Sequence, residues 1–421
     1  MHAALRILSS FRTRGFAALW LSLGFNALSN TIAFVLFSWL ALERTESALG
    51  VAVVMTALFI PRLFLAYPVG AHSDRADRRR LLQYTNVAGT AFALLAAPII
   101  DQSWFDFWGL VALALLIGSV DTFQVTLANS YVFDLVGPAE AVNGMCLQQL
   151  AHRVFGVVGG FLGGWLLEEV SAEAVLLAMA GAYAISVGLL LGRAAPARFS
   201  GMPAPDELEP TFGPGMLAAL KRLAGNRLLV LFAALGLAAE ILAYSSDVLV
   251  PGFARDIFRV GETEYGTLIS VRNAGGILAL LLLGAASRSV NSERLSLASC
   301  ALFALGLVWF ALSPTLYVAF GAIFVVGVAY SAVDALLPVS VQHAVRDEDR
   351  GAASGLLICA RGASPIGQFE IGLLAGVMGV AATQLVNGLL FFAVTLVAIV
   401  LFALARRKNE LARAYGEAGP R

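Results

Sequence analysis

The stretch that decides the fold is GAHSDRADRRRLL, residues 70–82. Between Asp74 and Arg80 it packs four arginines and two aspartates into seven residues of a chain that is only 13% charged. Long apolar runs flank it on both sides. Over the whole 421 residues, 59% are hydrophobic, whereas soluble domains are about 25% charged. Many of the runs reach the roughly 20 residues that a helix needs to cross a bilayer. A membrane barrel would instead alternate in segments of about ten residues. The composition therefore predicts an all-α polytopic membrane protein.

Twelve spans are expected, at about 16–42, 48–71, 81–100, 107–133, 140–167, 172–193, 227–254, 263–286, 295–313, 316–342, 350–377 and 382–405. The interval 194–226 contains APARFSGMPAPDELEPTFGPG and reads as a linker between two six-helix bundles, 1–193 and 227–405. Its end, MLAALKRLAG, has the pattern of an amphipathic surface helix. Residues 406–421 form a tail. The N-terminal residues lack a cleavage site after a short apolar core, so no signal peptide is expected. Cys146, Cys300 and Cys359 have neither disulfide nor zinc spacing and are expected as small buried residues.

Basic residues set the orientation. Of 28 Lys and Arg, three (Arg44, Arg255, Arg259) fall in loops on one side and four (Arg62, Arg153, Arg272, Arg361) inside spans. The others collect with the termini, which places both termini in the cytoplasm. The opening cluster then lies between spans 2 and 3 on the cytoplasmic side.

The halves repeat each other. GAHSDRADRRRLL aligns with GAASRSVNSERLS at 284–296, and GMCLQQLAHRVFGVVGG from Gly144 aligns with GLLICARGASPIGQFEI from Gly355. Such repeats point to a transporter with a path between two halves.

On these residues the chain resembles the major facilitator superfamily. A Gly, then Asp74-Arg75, then the basic triplet Arg78-Arg79-Arg80 is similar to that family's signature between helices 2 and 3. FAALWLSLGFNALSNTI, TESALGVAVVMTALFIPRL and DLVGPAEAVNG look most like its drug and siderophore exporter branch, similar to macrolide efflux pumps and the enterobactin exporter. In GGFLGG (159–164), Gly160 stands where antiporters of the family carry Pro, and Arg288 and Ser289 replace the Asp-Arg pair in the second half. The resemblance implies a fold of twelve helices in two pseudo-symmetric bundles, in a bacterial inner membrane. It also implies a cytoplasmic latch of Asp74, Arg75 and Arg78, for which Asp134 lies at the right depth and Asp74 could also cap span 11 near Gly351. The alternative for these charges is a solvated topology signal.

A charge at the bilayer centre costs at least about 2.5–3.5 kcal/mol on insertion scales, so such residues are rare without a role. Here Arg62, Asp121 and Arg153 lie in the first half, and Glu240, Asp247, Arg272, Asp334, Arg361 and Glu370 in the second. Asp121 and Asp334 are 213 apart, and Arg62–Arg272 and Arg153–Arg361 are 210 and 208 apart, so the pattern follows the repeat. Two readings stay open. In one, Arg–Asp pairs tie helices together and never change protonation. In the other, Glu240, Asp247, Asp121 or Asp334 faces the path and carries protons. Glu240 and Asp247 are seven apart on span 7 with no arginine between Arg227 and Arg255. An acid without a cation in low dielectric holds its proton more tightly.

Asn26, Asn30, Gln124 and Tyr244, with Arg62, Arg153, Arg272, Arg361 and Glu370, are candidate lining residues of a substrate cavity. For the amides, helix–helix hydrogen bonds are the alternative. Phe34, Phe123 and Phe369 are candidate apolar wall residues. Glycines 156, 159, 160, 163 and 164 favour close helix approach, and Pro61, Pro68 and Pro365 favour bends. His2, His72, His152 and His343 are dispersed, and no nucleophile–base pair, metal cluster or phosphate loop is evident. The expectation is a monomeric, proton-coupled exporter of a small amphipathic molecule in the lipid bilayer. It has no cofactor, metal or nucleic-acid partner and is not an enzyme. An importer or uniporter of the same fold, or a non-transporting sensor, is the alternative.

Overall fold

The computed structural model describes residues 9–73, 76–137, 140–191, 226–285, 291–345 and 362–416, with 353, 356 and 360 singly. Among them the regular structure is helical throughout. The spans are α1 (Phe16–Thr45), α2 (Ala48–Phe59, continued past Ile60 by Pro61–Ser73), α3 (Arg78–Ala96), α4 (Phe107–Val136), α5 (Ala141–Glu169) and α6 (Ala172–Leu191). The second half has α7 (Arg227–Ala238, continuing irregularly to Phe258), α8 (Glu262–Ala285), α9 (Ser292–Ala311), α10 (Leu316–His343), α11 (Ser364–Met378 in its described part) and α12 (Val380–Gly416). Ten helices among the described residues are long and apolar enough to cross a membrane. α3 opens on three arginines, and α11 is described only in part. The expected linker, 194–226, lies outside the described residues except for Asn226. α12 runs through the first part of the expected tail.

Starts and stops are set locally. Ser47, Asp77, Asp106, Asn226, Asn291 and Thr315 each accept backbone N–H groups at the first turn of α2, α3, α4, α7, α9 and α10. In the charge cluster, Asp77 takes the amides of Arg79 and Arg80 at 3.1 and 3.3 Å. Arg78 pairs with Asp134 at 2.5 Å, joining the start of α3 to the end of α4. Arg79 Nε and Gln83 donate to the Leu190 carbonyl at 2.7 and 2.8 Å. The described charges of the cluster thus knit the termini end of the first half. The Arg78–Asp134 pair lies within that half, because α3 and α4 are neighbours there. Asp74 and Arg75 lie outside the described residues. Pro61 restarts α2 after Ile60, and Pro365 stands in the first turn of Ser364–Met378, where no preceding carbonyl needs its missing N–H. Cys300 is buried as expected, but Cys146 is exposed.

Between the halves, α5 lies along α8. The Ser270 hydroxyl donates to the Val157 carbonyl at 2.7 Å, and Glu168 accepts the Thr263 amide at 2.8 Å. This approach requires glycine: a Cβ on Gly164 would overlap the Glu262 carbonyl, and one on Gly266 the Gly160 carbonyl. On the other flank Thr56 of α2 donates to Gln368 of α11 at 3.0 Å, and Gly372 packs on Ala48–Ala52. Ser38 and Tyr265 share a 2.6 Å hydrogen bond, and Arg255 donates to the Leu42 carbonyl at 3.2 Å. All these contacts lie between the middle of the helices and the end away from the termini. The apolar core follows the same division. One cluster joins both halves at the far end and continues along the whole length of the second half, while Phe16, Leu19, Val69, Leu82, Leu127, Tyr131 and Leu190 form a separate cluster at the termini end of the first half.

Gly164→Val should overpack the α5–α8 seam and cost about 1–3 kcal/mol. Gly181→Val, where an added Cβ meets nothing within 4 Å, is the control. Thermal unfolding in detergent should show a lowered transition for the first and not for the second.

Candidate functional site

The first half buries a polar chain across five helices. Arg62 of α2 grips Asp121 of α4 through Nε and Nη2, both on Oδ2, at 3.1 and 2.5 Å. The other carboxylate oxygen takes Asn30 Nδ2 at 2.6 Å. Tyr183 donates to Asn30 at 3.3 Å, Gln124 donates to Asn86 at 2.7 Å, and Asn86 donates to Ser186 at 2.8 Å. A buried polar network is stable only when its members satisfy one another. Asn26, 3% exposed, is the exception: neither end of its amide finds a partner among the described residues. Asp121 and Gln124 are buried, whereas 48% of the Arg62 side chain is accessible and its guanidinium lies 5.0 Å over Phe59. Glu240 of the second half lies within electrostatic reach of Arg62.

The second half does not mirror this. The repeat relates Arg62–Asp121 to Arg272–Asp334, yet Arg272 is hydrogen-bonded to Asp247 of α7. Asp247 therefore has a cation partner, contrary to what the residues of α7 alone imply, because the partner comes from α8. Nor do Glu240 and Asp247 share one environment. α7 winds as a π turn at Ala239–Ala243 and as a 3-10 segment at Tyr244–Val248, and Ser245 and Ser246 turn their hydroxyls onto backbone carbonyls of Ile241 and Ala243. Such breaks in an α-helix concentrate at functional positions.

Glu240 instead lines a small open crevice with Tyr244, Asp334, Gly236, Val333, Leu337, Pro338 and Ala360. Ser364 donates to Glu240 at 2.5 Å. Glu240 and Asp334, from α7 and α10, are thus brought to one pocket. Glu370 is not among its lining residues and accepts from Asn387 of α12 at 3.1 Å. Phe369 is 39% exposed, and Arg361 lies outside the described residues.

Between the two sites stands Tyr330. The guanidiniums of Arg153 (α5) and Arg272 lie 5.1 and 5.6 Å from its ring centre, and Arg272 also lies 5.7 Å from Phe34 of α1. Tyr244 packs edge-on against Tyr330, 4.5 Å between centroids. His152 is exposed although it sits mid-helix, within electrostatic reach of Arg62, Asp121, Arg153 and Asp334. Tyr330, Asn86, Tyr183 and Asn273 went unnoticed from sequence, and His152 stood there only as one of four dispersed histidines. For Asn86 and Tyr183 the available signal was the Ser22, Asn26, Asn30 stripe on α1, which calls for polar neighbours on α3, α4 and α6.

The profile of the Major Facilitator Superfamily matches residues 19–365 and 237–420. The chain belongs to this superfamily. Curated relatives include the staphyloferrin A transporter of Staphylococcus aureus, 22% identical over 91% of this chain and 94% of that protein. The multidrug efflux pump Tap of Mycobacterium tuberculosis is 25% identical over 92% of each. Among solved structures, a bacterial homologue of the human lysosomal transporter Spinster, inward-facing and unoccupied, superposes with a TM-score of 0.69 at 15% identity, covering 93% of this chain and 96% of that one. The nucleoside transporter NupG gives 0.62 at 16% identity over 91% and 99%. The major facilitator chain is therefore a multi-pass membrane transporter of small molecules, built of two six-helix bundles, and not an enzyme.

Breaking a buried ion pair at one partner typically costs about 3–5 kcal/mol, while replacing both partners by apolar groups is often neutral. The Arg272 and Asp247 side chains are 10% and 22% accessible. Asp247→Asn should therefore lower the unfolding temperature in detergent sharply, and Arg272→Met with Asp247→Leu should recover most of the loss.

Proposed function

We propose that this transporter exports a small amphipathic organic molecule by proton antiport and alternating access. The observation that carries the reading is the pocket shared by Glu240 and Asp334 beside the irregular turn of α7. Two carboxyl groups at mid-helix depth that border one open space are suited to exchange protons with whichever side is open. A cationic or hydrogen-bond-donating group of the cargo entering this pocket competes with the proton. That competition couples the two fluxes. Asp121 and Asp247 carry guanidinium partners and serve better as fixed ties than as proton carriers. The names of two relatives, a siderophore transporter and a multidrug efflux pump, support export of bulky organic cargo.

With both termini in the cytoplasm of a bacterial inner membrane, the far-end seam of α5–α8 and α2–α11 is the closed outer gate, and the conformation is inward-open. Alternating access then opens that seam and closes the termini end, where Asp74, Arg75 and Arg78 are proposed to contribute a latch.

The decisive assay uses inverted membrane vesicles from a strain lacking its own pumps, with a panel of drugs and siderophores. Wild type should accumulate at least one compound when the lumen is acidified, and Glu240→Gln should fall to the level of de-energised vesicles while retaining downhill exchange. Accumulation by Glu240→Gln equal to wild type would remove Glu240 from the coupling role. Orientation is checked separately in a cysteine-free background. Ser103→Cys, exposed in the loop before α4, should react with a membrane-impermeant maleimide in intact cells, and Gln342→Cys, exposed at the end of α10, only after lysis.

A further inference from the structure

Three described arginines lie at mid-span, and only two of them are answered by a carboxylate. Arg62 has Asp121, and Arg272 has Asp247. Arg153 has only the Asn273 amide oxygen at 3.4 Å and the face of Tyr330 at 5.1 Å. No carboxylate among the described residues reaches it. A guanidinium cannot shed its proton at this depth, so it needs an acceptor.

The surroundings of Arg153 repeat the deficit. A Cβ on Gly276 would lie 2.9 Å from Arg153 Cδ and 2.5 Å from the Ser331 hydroxyl, which puts the arginine stem and that hydroxyl side by side. Ser331 is 3% exposed, and its hydroxyl has no hydrogen-bond partner among the described residues. Nε of Arg272, whose guanidinium also lies 5.6 Å from the Tyr330 ring, is likewise buried and without a partner among the described residues. Polar groups from α5, α8 and α10 therefore converge around one ring, and among the described residues no carboxylate answers Arg153 and nothing bonds the Ser331 hydroxyl or Arg272 Nε. Arg153 itself is only half-buried, and the neighbouring His152 is exposed, so the guanidinium is open to a ligand that approaches beside them.

We propose that Arg153 is the anchor of an anion subsite that receives a carboxylate of the transported molecule. The inference rests on the transport reading above and narrows its cargo to amphipathic carboxylates rather than simple lipophilic cations. The geometry of the two tyrosines adds a second requirement. Tyr244 and Tyr330 separate the guanidinium from the Glu240–Asp334 pocket, so a cargo with a carboxylate at one end and a cationic or hydroxyl group at the other spans both sites. The carboxylate supplies the missing partner of Arg153, and the distal group competes for the acids.

The test is equilibrium binding to the purified full chain in nanodiscs. The probes are matched pairs of amphipathic carboxylates and their methyl esters: dansyl-alanine, 2,3-dihydroxybenzoate and a citrate N-alkylamide. Wild type should bind at least one acid about tenfold or more tightly than its ester, the size expected of a charge-assisted hydrogen bond. Arg153→Gln should bind acid and ester alike, with the ester affinity close to that of wild type. Arg153→Lys should keep part of the preference, because it retains the charge and loses the planar fork. Asn273→Ala, which leaves the guanidinium in place, guards against a folding defect: it should keep a preference for the acid. If no acid binds wild type better than its ester, or if Arg153→Gln keeps the preference, the anion subsite is wrong. Failure of the export reading shows differently, as binding that discriminates acid from ester while vesicles accumulate nothing under a pH gradient.

Discussion

An ionised side chain at mid-bilayer depth has to be answered by another group, and the interior of this transporter is arranged around that requirement. Asp121 is held by Arg62 and capped by Asn30, and Asp247 is held by Arg272. Each tie joins two helices whose relative position is then set to within a hydrogen bond. The amides and hydroxyls around Asp121 extend the tie through α3 and α6. A buried pair of this kind adds little net stability over an apolar core, but the cost of separating it is high. Its contribution is to specify which helices meet and in which register.

The departure from two-fold symmetry follows from the same rule. The first half pairs its α2 arginine with its α4 acid. In the second half the equivalent arginine is drawn to Asp247, an acid that the first half lacks on α1, where Ala33, Phe34 and Ser38 stand instead. Asp334 lines a pocket with Glu240 instead. Two sites of different chemistry arise on either side of the Tyr244–Tyr330 pair, an acidic one in the second half and a guanidinium-rich one between the halves. Such asymmetry fits the proposed proton coupling, in which proton and cargo are read by different groups yet felt through one space.

The two halves are closest where glycine removes side chains. Gly160, Gly164 and Gly266 let the α5 and α8 backbones touch, while farther along the seam Asn273 sits over Gly156 and Arg153 over Gly276. The backbone-to-backbone part of this surface can part and rejoin without repacking. Hydrogen bonds across it run from Ser270 to Val157, from Thr263 to Glu168 and from Arg153 to Asn273. The separate apolar cluster at the termini end of the first half leaves that end of the bundle self-contained, which suits it to move as a unit.

Helical class, most span limits, helix caps such as Asp77 and Asp106, and the repeat between the halves were legible in the chain itself. Each depends on hydrophobicity or hydrogen bonding over a few neighbouring residues, and a bilayer enforces those local terms without help from tertiary contacts. The partner of Asp247, the containment of Arg78–Asp134 within one half, the meeting of Glu240 with Asp334 and the exposure of Arg153 beside an unanswered hydroxyl were decided only in three dimensions. Each turns on which face of one helix meets which face of another. Crossing angle and axial register set that match, and in α7 a π turn followed by a 3-10 segment rotates every later side chain away from the positions that seven-residue spacing implies.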